Sequence, residues 1–461
     1  MGSELHEYRL EDCMDAIIDY RGKTPTKTDS GIPLITAKII KNGQIQEVSE
    51  FIAESDYDSW MTRGIPKEGD VVLTTEAPLG EVAQLDSRKV ALAQRVITLR
   101  GKQGLLDNDY LLYLLQSHDI QNQLDGRASG STVTGIKQSE LREIILRFPF
   151  IDIQKKIAAH LKAIDQKITL NHQINQTLEQ MAQTLFKSWF VDFDPVIDNA
   201  LDAGNEIPDT LQERAEQRRL LRAKADFKSL PAETRALFPS EFEETELGWV
   251  PKGWTVRPAE EIADISIGKT PPRAETHWFS ENASQNIPWV SIKDMGTCGV
   301  FTNGSSEYLV PEGVSKFNVK LVPKDSIILS FKLTLGRVSI ASECLTTNEA
   351  IAHFVNLKFG LSKEFIYCYL RAFNFDLLGS TSSIATAINS KIIKMMPFLV
   401  PNFDVTKYYT ESVGSIFEKI KMASDEINVL IQLRDSLLPK LISGELALDA
   451  LPEVPELAEA F

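Results

Sequence analysis

The stretch DIQKKIAAHLKAIDQKITLNHQINQTLEQMAQTLFKSW, from Asp152 to Trp189, lacks glycine and proline and carries an apolar residue at most third or fourth positions. This spacing is a heptad seam and predicts one long helix with a single apolar face. At about 1.5 Å per residue, a seam of some 34 residues spans roughly 50 Å. The seam recurs near the other end of the chain at an offset of 252 residues. The matched pairs are Leu161 with Val413, Ile164 with Ile416, Ile168 with Ile420, Leu178 with Leu430, and Leu185 with Leu437.

Each of the two seams is the obvious partner for the other, because both need an apolar surface against which to pack. Asn171 and Asn175 stand where the second seam has Ala423 and Ile427. A buried Asn in such a seam commonly fixes the register of the two helices at some cost in stability. An Asn on the outer face would instead be a solvated side chain, and the sequence leaves both interpretations open.

The rest of the chain is duplicated as well. GKTP occurs at Gly22–Pro25 and again at Gly268–Pro271, an offset of 246 residues. Further along, DVVLTTEAPLGEVA (Asp70–Ala83) resembles DSIILSFKLTLGRVSIA (Asp325–Ala341). A repeat of about 250 residues is far too long for a solenoid unit. It predicts two similar domains, each followed by a similar helix.

The composition is that of an ordinary globular protein, with 43% apolar and 25% charged residues in a chain of 461. No run approaches the eighteen apolar residues of a membrane-spanning helix, and the first residues lack the apolar core of a signal peptide. Four scattered cysteines without CxxC spacing predict reduced thiols in a cytoplasmic protein, and neither a disulfide framework nor a metal site. These cysteines are Cys13, Cys298, Cys344 and Cys368.

The net charge of −15 argues at first against nucleic acid, whose binders usually have a basic excess. Two segments carry most of this charge. Residues 192–246 hold fourteen acidic and seven basic residues, and beyond Lys440 there are five acidic residues and no basic one. The rest of the chain is close to neutral, at −3. Composition is therefore compatible with a local basic surface but does not demonstrate one.

Short apolar runs between glycine and proline predict mixed helix and strand domains. Strands are predicted at Val71–Leu73, Val82–Leu85 and Val96–Leu99, and a buried helix at Tyr110–Gln116 has its counterpart at Phe365–Leu370. The predicted segments are a first domain (1–150), a first helical region (151–191), a charged connector (192–246), a second domain (247–401), a second helical region (402–446) and an acidic tail (447–461). One further helix is predicted in the connector, at Thr210–Ala225.

Catalytic motifs do not emerge from the sequence. A phosphate-binding P-loop needs a glycine five residues before its GK pair, but those positions are Ile17 and Ala263. No glycine-rich turn for S-adenosylmethionine or a dinucleotide is apparent, and neither is a Ser–His–Asp or Cys–His pairing. The two acids of DFDPV (Asp192–Val196) have no equivalent in the other half and are interpreted as structural. The sequence therefore predicts a non-catalytic chain without a cofactor or metal of its own.

Four strings closely resemble the specificity subunit of type I restriction-modification systems. They are GKTPPRAETHW…NIPWVSIKDM (Gly268–Met295), LFKSWFVDFDPV (Leu185–Val196), LFPSEFEETELGWVPKGW (Leu237–Trp254) and RDSLLPKLISGEL (Arg434–Leu446). The resemblance covers essentially the whole chain. It implies an α+β fold, with two globular target recognition domains joined by two long antiparallel helices that form a coiled coil.

The same resemblance implies a function and its partners. Each recognition domain would read one half of a split site in double-stranded DNA, and the coiled coil would set the gap, about 15 base pairs for 50 Å. Two modification subunits would supply S-adenosylmethionine chemistry, and restriction subunits would add ATP- and Mg-dependent translocation and cleavage. Two alternatives from other classes are a self-contained methyltransferase or nuclease and a coiled-coil scaffold that binds no DNA.

Candidate DNA-contacting residues are polar loop positions matched between the two halves. Lys and Arg suit guanine edges and phosphates, whereas Thr suits phosphates. In the first domain the candidates are Lys23, Thr24, Lys38, Thr75 and Arg95. In the second they are Lys269, Thr270, Arg273, Lys293, Lys332 and Arg337. The glycines and prolines of GKTP are expected to shape a turn, and Trp289 is expected in the core.

Overall fold

A computed structural model describes residues 5–22, 24–130, 134–378 and 388–446 of the chain. The chain forms two compact units. Unit 1 consists of Met1–Thr169 and Val429–Phe461, and unit 2 consists of Leu170–Asn428. Both units combine strands with helices, which confirms the mixed fold class. The predicted acidic tail, 447–461, lies outside the described residues.

Unit 1 is organised around an antiparallel sheet of four strands. Its strand Val71–Thr75 is completely buried and rich in β-branched residues, which fit a pleated and covered surface. In spatial order the sheet contains Met14–Asp19, Val96–Gly101, Val71–Thr75 and Leu79–Gln84. The three predicted strands of this domain all lie in this sheet. Smaller sheets pair Ile32–Ile35 with Phe51–Ile52 and Ala91–Leu92, His6–Arg9 with Ile145–Phe148, and Ile40–Lys41 with Gln44–Ile45.

Unit 2 repeats this arrangement. Its corresponding four-stranded antiparallel sheet contains, in spatial order, Asp264–Ile267, Ile351–Val355, Ile327–Ser330 and Val338–Ile340. A second sheet contains Phe279–Ser280, Tyr308–Leu309, Ile287–Val290 and Thr346–Thr347, and two pairs join Thr255–Pro258 to Pro397–Val400 and Phe242–Thr245 to Gly248–Pro251. The strand order of the main sheet is thus the same in both units.

The buried helix predicted in each half is present. In unit 1 it is Asn108–Gln116, which begins where the Asp107 carboxylate accepts a hydrogen bond from the Tyr110 N–H. In unit 2 it is Lys363–Ala372, which Ser362 caps in the same way. Such side-chain caps satisfy N–H groups that have no partner within a helix. Other helices are Tyr57–Trp60, His118–Arg127, Gln138–Arg142, Asp194–Ala203, Gln212–Arg222, Ala232–Arg235, Ala259–Ile262, Ile292–Met295, Pro311–Lys316 and Ser390–Met395.

Two helices of 40 residues, Ile151–Phe190 and Phe403–Ile442, carry the predicted seams. Within unit 2 their contacts run in opposite directions along the chain, because Asn171 meets Glu426 and the carbonyl of Ala182 meets Tyr409. The helices are therefore antiparallel. No helix in the described part of the chain is both long and apolar enough to cross a membrane.

The seam residues differ in how deeply they are buried. Leu161, Ile168, Val413 and Ile420 are buried, whereas Ile164, Leu178, Leu185, Ile416, Leu430 and Leu437 are half-buried. Leu161 belongs to the core of unit 1, and Val413 and Ile420 belong to the core of unit 2. The seam therefore serves two purposes, since it joins the helices to each other and completes the core of each unit.

The two seam asparagines face the partner helix within unit 2. Asn171 is 1% exposed, and its amide nitrogen donates to a carboxylate oxygen of Glu426 over 2.8 Å. Asn175 donates to the hydroxyl of Ser424 over 3.0 Å. The interpretation of Asn171 as a solvated side chain is therefore wrong. A polar pair of this kind favours one register, because a shifted alignment would bury the amide without its partner.

The connector contains a helical hairpin in unit 2, and its predicted helix is present as Gln212–Arg222. The first acids of this connector are structural, as expected. Asp194 is nearly buried and accepts two hydrogen bonds of 2.8 Å from Arg214 and one of 2.7 Å from Ser188. One turn further along, Asp198 pairs with Arg218. These pairs link the two helices of the hairpin to each other, beside a small apolar core that the helices share.

Replacement of Asn171 by Ala is expected to lower the stability of unit 2 by roughly 1–2 kcal/mol, because the change removes the hydrogen bond of a buried amide to the partner helix. The urea midpoint of unfolding, measured by circular dichroism, checks this. Gln176→Ala, on the exposed face of the same helix, is the matched control and should remain within about 0.5 kcal/mol of the parent chain. Equal midpoints for the two variants would contradict a role of Asn171 in the seam.

Candidate nucleic-acid interface

The two GKTP segments bury their prolines, while Thr24 and Lys269 are exposed and Thr270 is half-buried. Their glycines serve different purposes. Gly22 has a φ of +90° in open space, so it supplies a left-handed turn. A Cβ on Gly268 would lie 2.1 Å from the Thr347 hydroxyl and from the Asn348 carbonyl oxygen, so this glycine permits close packing. The expected turn is thus present in unit 1 only, and Lys23 lies outside the described residues.

In unit 1 the fold brings three predicted residues to one concave surface. Thr24, Lys38 and Arg95 line the same cavity, although they come from three separate segments of the chain. Its other lining residues are Pro25, Lys27, Leu34, Thr36, Ala37, Glu50, Ala77, Ala93 and Gln94. We call this cavity the unit 1 surface.

Thr75 does not belong to this surface. It is 2% exposed, and its hydroxyl finds no hydrogen-bond partner within the described ranges. Its N–H donates to the carbonyl of Arg95 over 3.0 Å, so the backbones of the two residues lie side by side. The prediction treated Thr75 as a polar loop residue, because the strand was expected to end at Leu73. The strand in fact continues through Thr75.

Cations form ion pairs with carboxylates on the unit 1 surface and beside it. Lys27 lies 2.8 Å and Lys38 3.6 Å from the carboxylate of Glu50, and Arg95 lies 2.8 Å from Glu76. The hydrogen bond from Lys27 lowers the pKa of Glu50 against the opposing effect of burial. The exposed Lys27 and Lys38 thus offset the charge of a half-buried carboxylate.

Unit 2 carries a similar surface, centred on Glu349 and Glu307. The guanidinium of Arg273 makes two hydrogen bonds with Glu307, of 2.7 and 2.9 Å, and stacks over the rings of Phe279 and Trp289. Thr270 donates to Glu349. That hydrogen bond lowers the pKa of Glu349 against burial, and the charges of Lys332 and Arg273 lower it further.

Thr270, Arg273 and Lys332 are therefore near neighbours, and we call this set, with its two glutamates, the unit 2 surface. The side chains of Lys269 and Arg337 make contacts elsewhere in unit 2. Lys269 donates to the carbonyl of Phe317, over 2.7 Å. Arg337 donates to the carbonyl of Ile292 over 2.5 Å and lies against the short helix of the exposed Lys293. Trp289 is 3% exposed and belongs to the core, as expected.

Strand pairing shows which residues of the two surfaces correspond. The carbonyl of Glu50 accepts from the N–H of Leu34, and the carbonyl of Glu307 accepts from the N–H of Trp289 at the same place in the equivalent strand. Lys27 and Arg273 are separated by 246 residues, the offset of the two GKTP segments. Each unit therefore holds a cation–glutamate pair at one position. The prediction omitted Lys27, although its offset could have revealed it, whereas the glutamates required the strand register.

Residues 3–180 and 251–429 each match the profile described as Type I restriction modification DNA specificity domain. The chain belongs to this family. The two matched ranges contain the two surfaces and most of both long helices. Among the described residues, no group of His, Cys, Asp or Glu could hold a metal ion.

Similar proteins extend over most of the chain. The specificity subunit of the type I restriction enzyme HindI from Haemophilus influenzae is 28% identical over 82% of this chain and 87% of its own. That of the enzyme MjaIX from Methanocaldococcus jannaschii is 27% identical over 91% of this chain and 88% of its own. A crystal structure of the type I restriction-modification S subunit from M. genitalium covers 95% of this chain and 96% of its own, with 16% identity and a TM-score of 0.53, and supports the fold.

A buried histidine supports the GKTP loop of unit 2. The ring of His353 is 0% exposed, and its nitrogens lie 2.9 Å from the Ser266 hydroxyl and 2.7 Å from the Thr347 hydroxyl. The carbonyl of Thr347 in turn accepts from the N–H of Lys269. Burial lowers the pKa of His353 to about 4.

Unit 2 is expected to lose stability as the pH falls from about 6.5 to about 4. In this range the unfolded chain protonates His353 and the folded chain does not, which costs about 3 kcal/mol in total. Urea midpoints between pH 4 and 8 measure the effect. His353→Gln should flatten the profile in this range relative to the parent chain. His277→Gln, an exposed control in the same unit, should keep the parent slope, and equal slopes for both variants would contradict the assignment.

Proposed function

We propose that this chain is the DNA-reading subunit of a type I restriction-modification complex and has no catalytic site of its own. Each unit would contact one half of a split DNA site. One observation carries the proposal. In this member of the specificity family, each unit has a surface on which a cation pairs with a glutamate at an equivalent position. One such surface in each unit suits a target with two separate halves.

Phosphates would replace glutamates on these surfaces. Lys27 and Arg273 each pair with a glutamate carboxylate. On DNA, the same two cations would pair with phosphate oxygens instead. The carboxylates would then repel DNA that lacks further favourable contacts, so that affinity depends on contacts to base edges. The acidic composition does not oppose DNA binding, because the acid excess lies mainly in the connector and the tail.

The partners follow from the family and belong to the same proposal. Two modification subunits would bring S-adenosylmethionine, and restriction subunits would bring ATP and Mg. These cofactors would be bound by the partner chains, since the present sequence contains no motif for them. A self-contained enzyme and a scaffold without DNA are the alternatives, and the family membership favours neither.

The complex is expected to methylate one split motif in its host, and deletion of this chain should abolish that methylation. Sequencing that detects methylated bases across the genome measures this directly. Binding of the motif duplex should also weaken steeply as salt rises, because counterions are released on binding. Methylation of the motif that persists after deletion of this chain would contradict the proposal, as would turnover by the purified chain alone. Binding that is independent of sequence in the complex would favour the scaffold.

The paired helices are proposed to set the spacer between the half-sites. Insertion of one heptad at matched places in both helices adds about 10 Å to each of them. The expected result is a spacer that is longer by about three base pairs, with both half-sites unchanged. Mapping of methylated bases measures the change. A single-helix insertion is the control and should abolish methylation, because the seams no longer match. An altered half-site with an unaltered spacer would contradict the idea.

A further inference from the structure

The connection between two neighbouring strands forms an exposed tip in each unit. In unit 1 it links Val71–Thr75 to Leu79–Gln84, and in unit 2 it links Ile327–Ser330 to Val338–Ile340. Leu333, in the unit 2 connection, is 99% exposed. Single exposed leucines are common on protein surfaces. The conformation of this one sets it apart.

Hydrogen bonds show that the two tips are built alike. The N–H of Thr75 donates to the carbonyl of Arg95, and the N–H of Phe331 donates to the carbonyl of Ala350. At the other end, the N–H of Glu81 donates to the Thr74 hydroxyl over 2.9 Å, as the N–H of Arg337 does to the Ser330 hydroxyl over 3.0 Å. Both tips therefore have the same length, and residues 76 and 77 correspond to residues 332 and 333.

Both tips hold a residue other than glycine in the left-handed region. Ala77 has a φ of +50° and Leu333 a φ of +62°. This conformation costs free energy for any side chain with a Cβ, and a leucine exposed to this degree recovers almost none of it by packing. The unit 2 tip is also held in shape, because the Ser330 hydroxyl donates to the carbonyl of Thr334 over 2.6 Å. The leucine is thus presented outward by an ordered turn.

The tips adjoin the surfaces described above and differ between the units. Ala77 lines the unit 1 surface, and Lys332 acts on the charge of Glu349 in the unit 2 surface. Unit 1 presents an acid followed by an alanine, whereas unit 2 presents a lysine followed by a leucine. Tips of equal length with different side chains are what two readers of different half-sites require.

We propose that Leu333 reads a thymine in the half-site of unit 2 by contact with its C5-methyl group in the major groove. This inference rests on the proposed function. The thymine methyl is the apolar group that base edges offer in the major groove, and an isolated outward leucine matches it. Lys332, which precedes it, would hold the adjacent phosphate. We favour DNA over a protein partner because Lys332 directly precedes the leucine, and because the other exposed apolar side chain among the described residues of the tip is the less exposed Leu335.

Deoxyuridine provides the test, since it lacks only the methyl group and pairs as thymine does. The full chain with its modification subunits is titrated against the motif duplex, with each thymine of the half-sites replaced in turn. One replacement in the unit 2 half-site should weaken binding about fourfold, which corresponds to the burial of one methyl group. Leu333→Ala should weaken binding of the thymine duplex by a similar factor and should no longer respond to that replacement.

Leu321→Ala, which truncates another exposed leucine of unit 2, is the matched control and should behave as the parent chain. Thermal unfolding of Leu333→Ala should match the parent, because the side chain packs against almost nothing. A half-site without a sensitive thymine would overturn the inference, as would an equal response of Leu333→Ala and the parent to deoxyuridine. In both cases the parent still prefers its split motif. Failure of the proposed function would instead appear as a parent complex without any such preference.

Discussion

Unit 1 depends on an interaction between the two ends of the chain. Leu441 and Ile442, at the end of the second long helix, pack in the same core as Leu10 and Leu161. The apolar face of that helix must be covered, and within unit 1 the first long helix and the recognition domain cover it. Unit 1 is therefore complete only when the whole chain is present. Unit 2, which is continuous from Leu170 to Asn428, is under no such constraint.

Hydrogen bonds and ion pairs orient the elements that this apolar packing holds together. In unit 1, Tyr113 on the buried helix donates to Asp165 on the first long helix over 2.8 Å, and Arg434 on the second long helix pairs with the same carboxylate. Burial raises the pKa of Tyr113, so the phenol remains a donor at all ordinary pH values. In unit 2, Tyr367 donates to Glu179 in a similar way. Each recognition domain is thus fixed to the first long helix by a tyrosine and a carboxylate.

The two surfaces hold cations in a chain whose net charge is acidic. Glu50 and Glu307 occupy equivalent positions and neutralise Lys27 and Arg273. Net charge does not reveal this arrangement, because it does not record which charges lie beside each other. The divergence between the units is also local. At equivalent turn positions unit 1 has Glu76 and Glu81 where unit 2 has Lys332 and Arg337. The two units therefore share one fold but carry side chains of opposite charge at these positions.

The sequence by itself determined the duplication, the two long helices and the main strands, because these follow from local periodicity and from repeated strings. It also identified Thr24, Lys38, Thr270 and Arg273 as polar loop residues in matched places. Only the tertiary structure decided that Thr75 is buried, that Asn171 faces Glu426, and that Glu50 corresponds to Glu307. These facts depend on strand register and on contacts between residues far apart in the chain, which no local pattern encodes. For the same reason the outward turn at Leu333 became visible only in the fold.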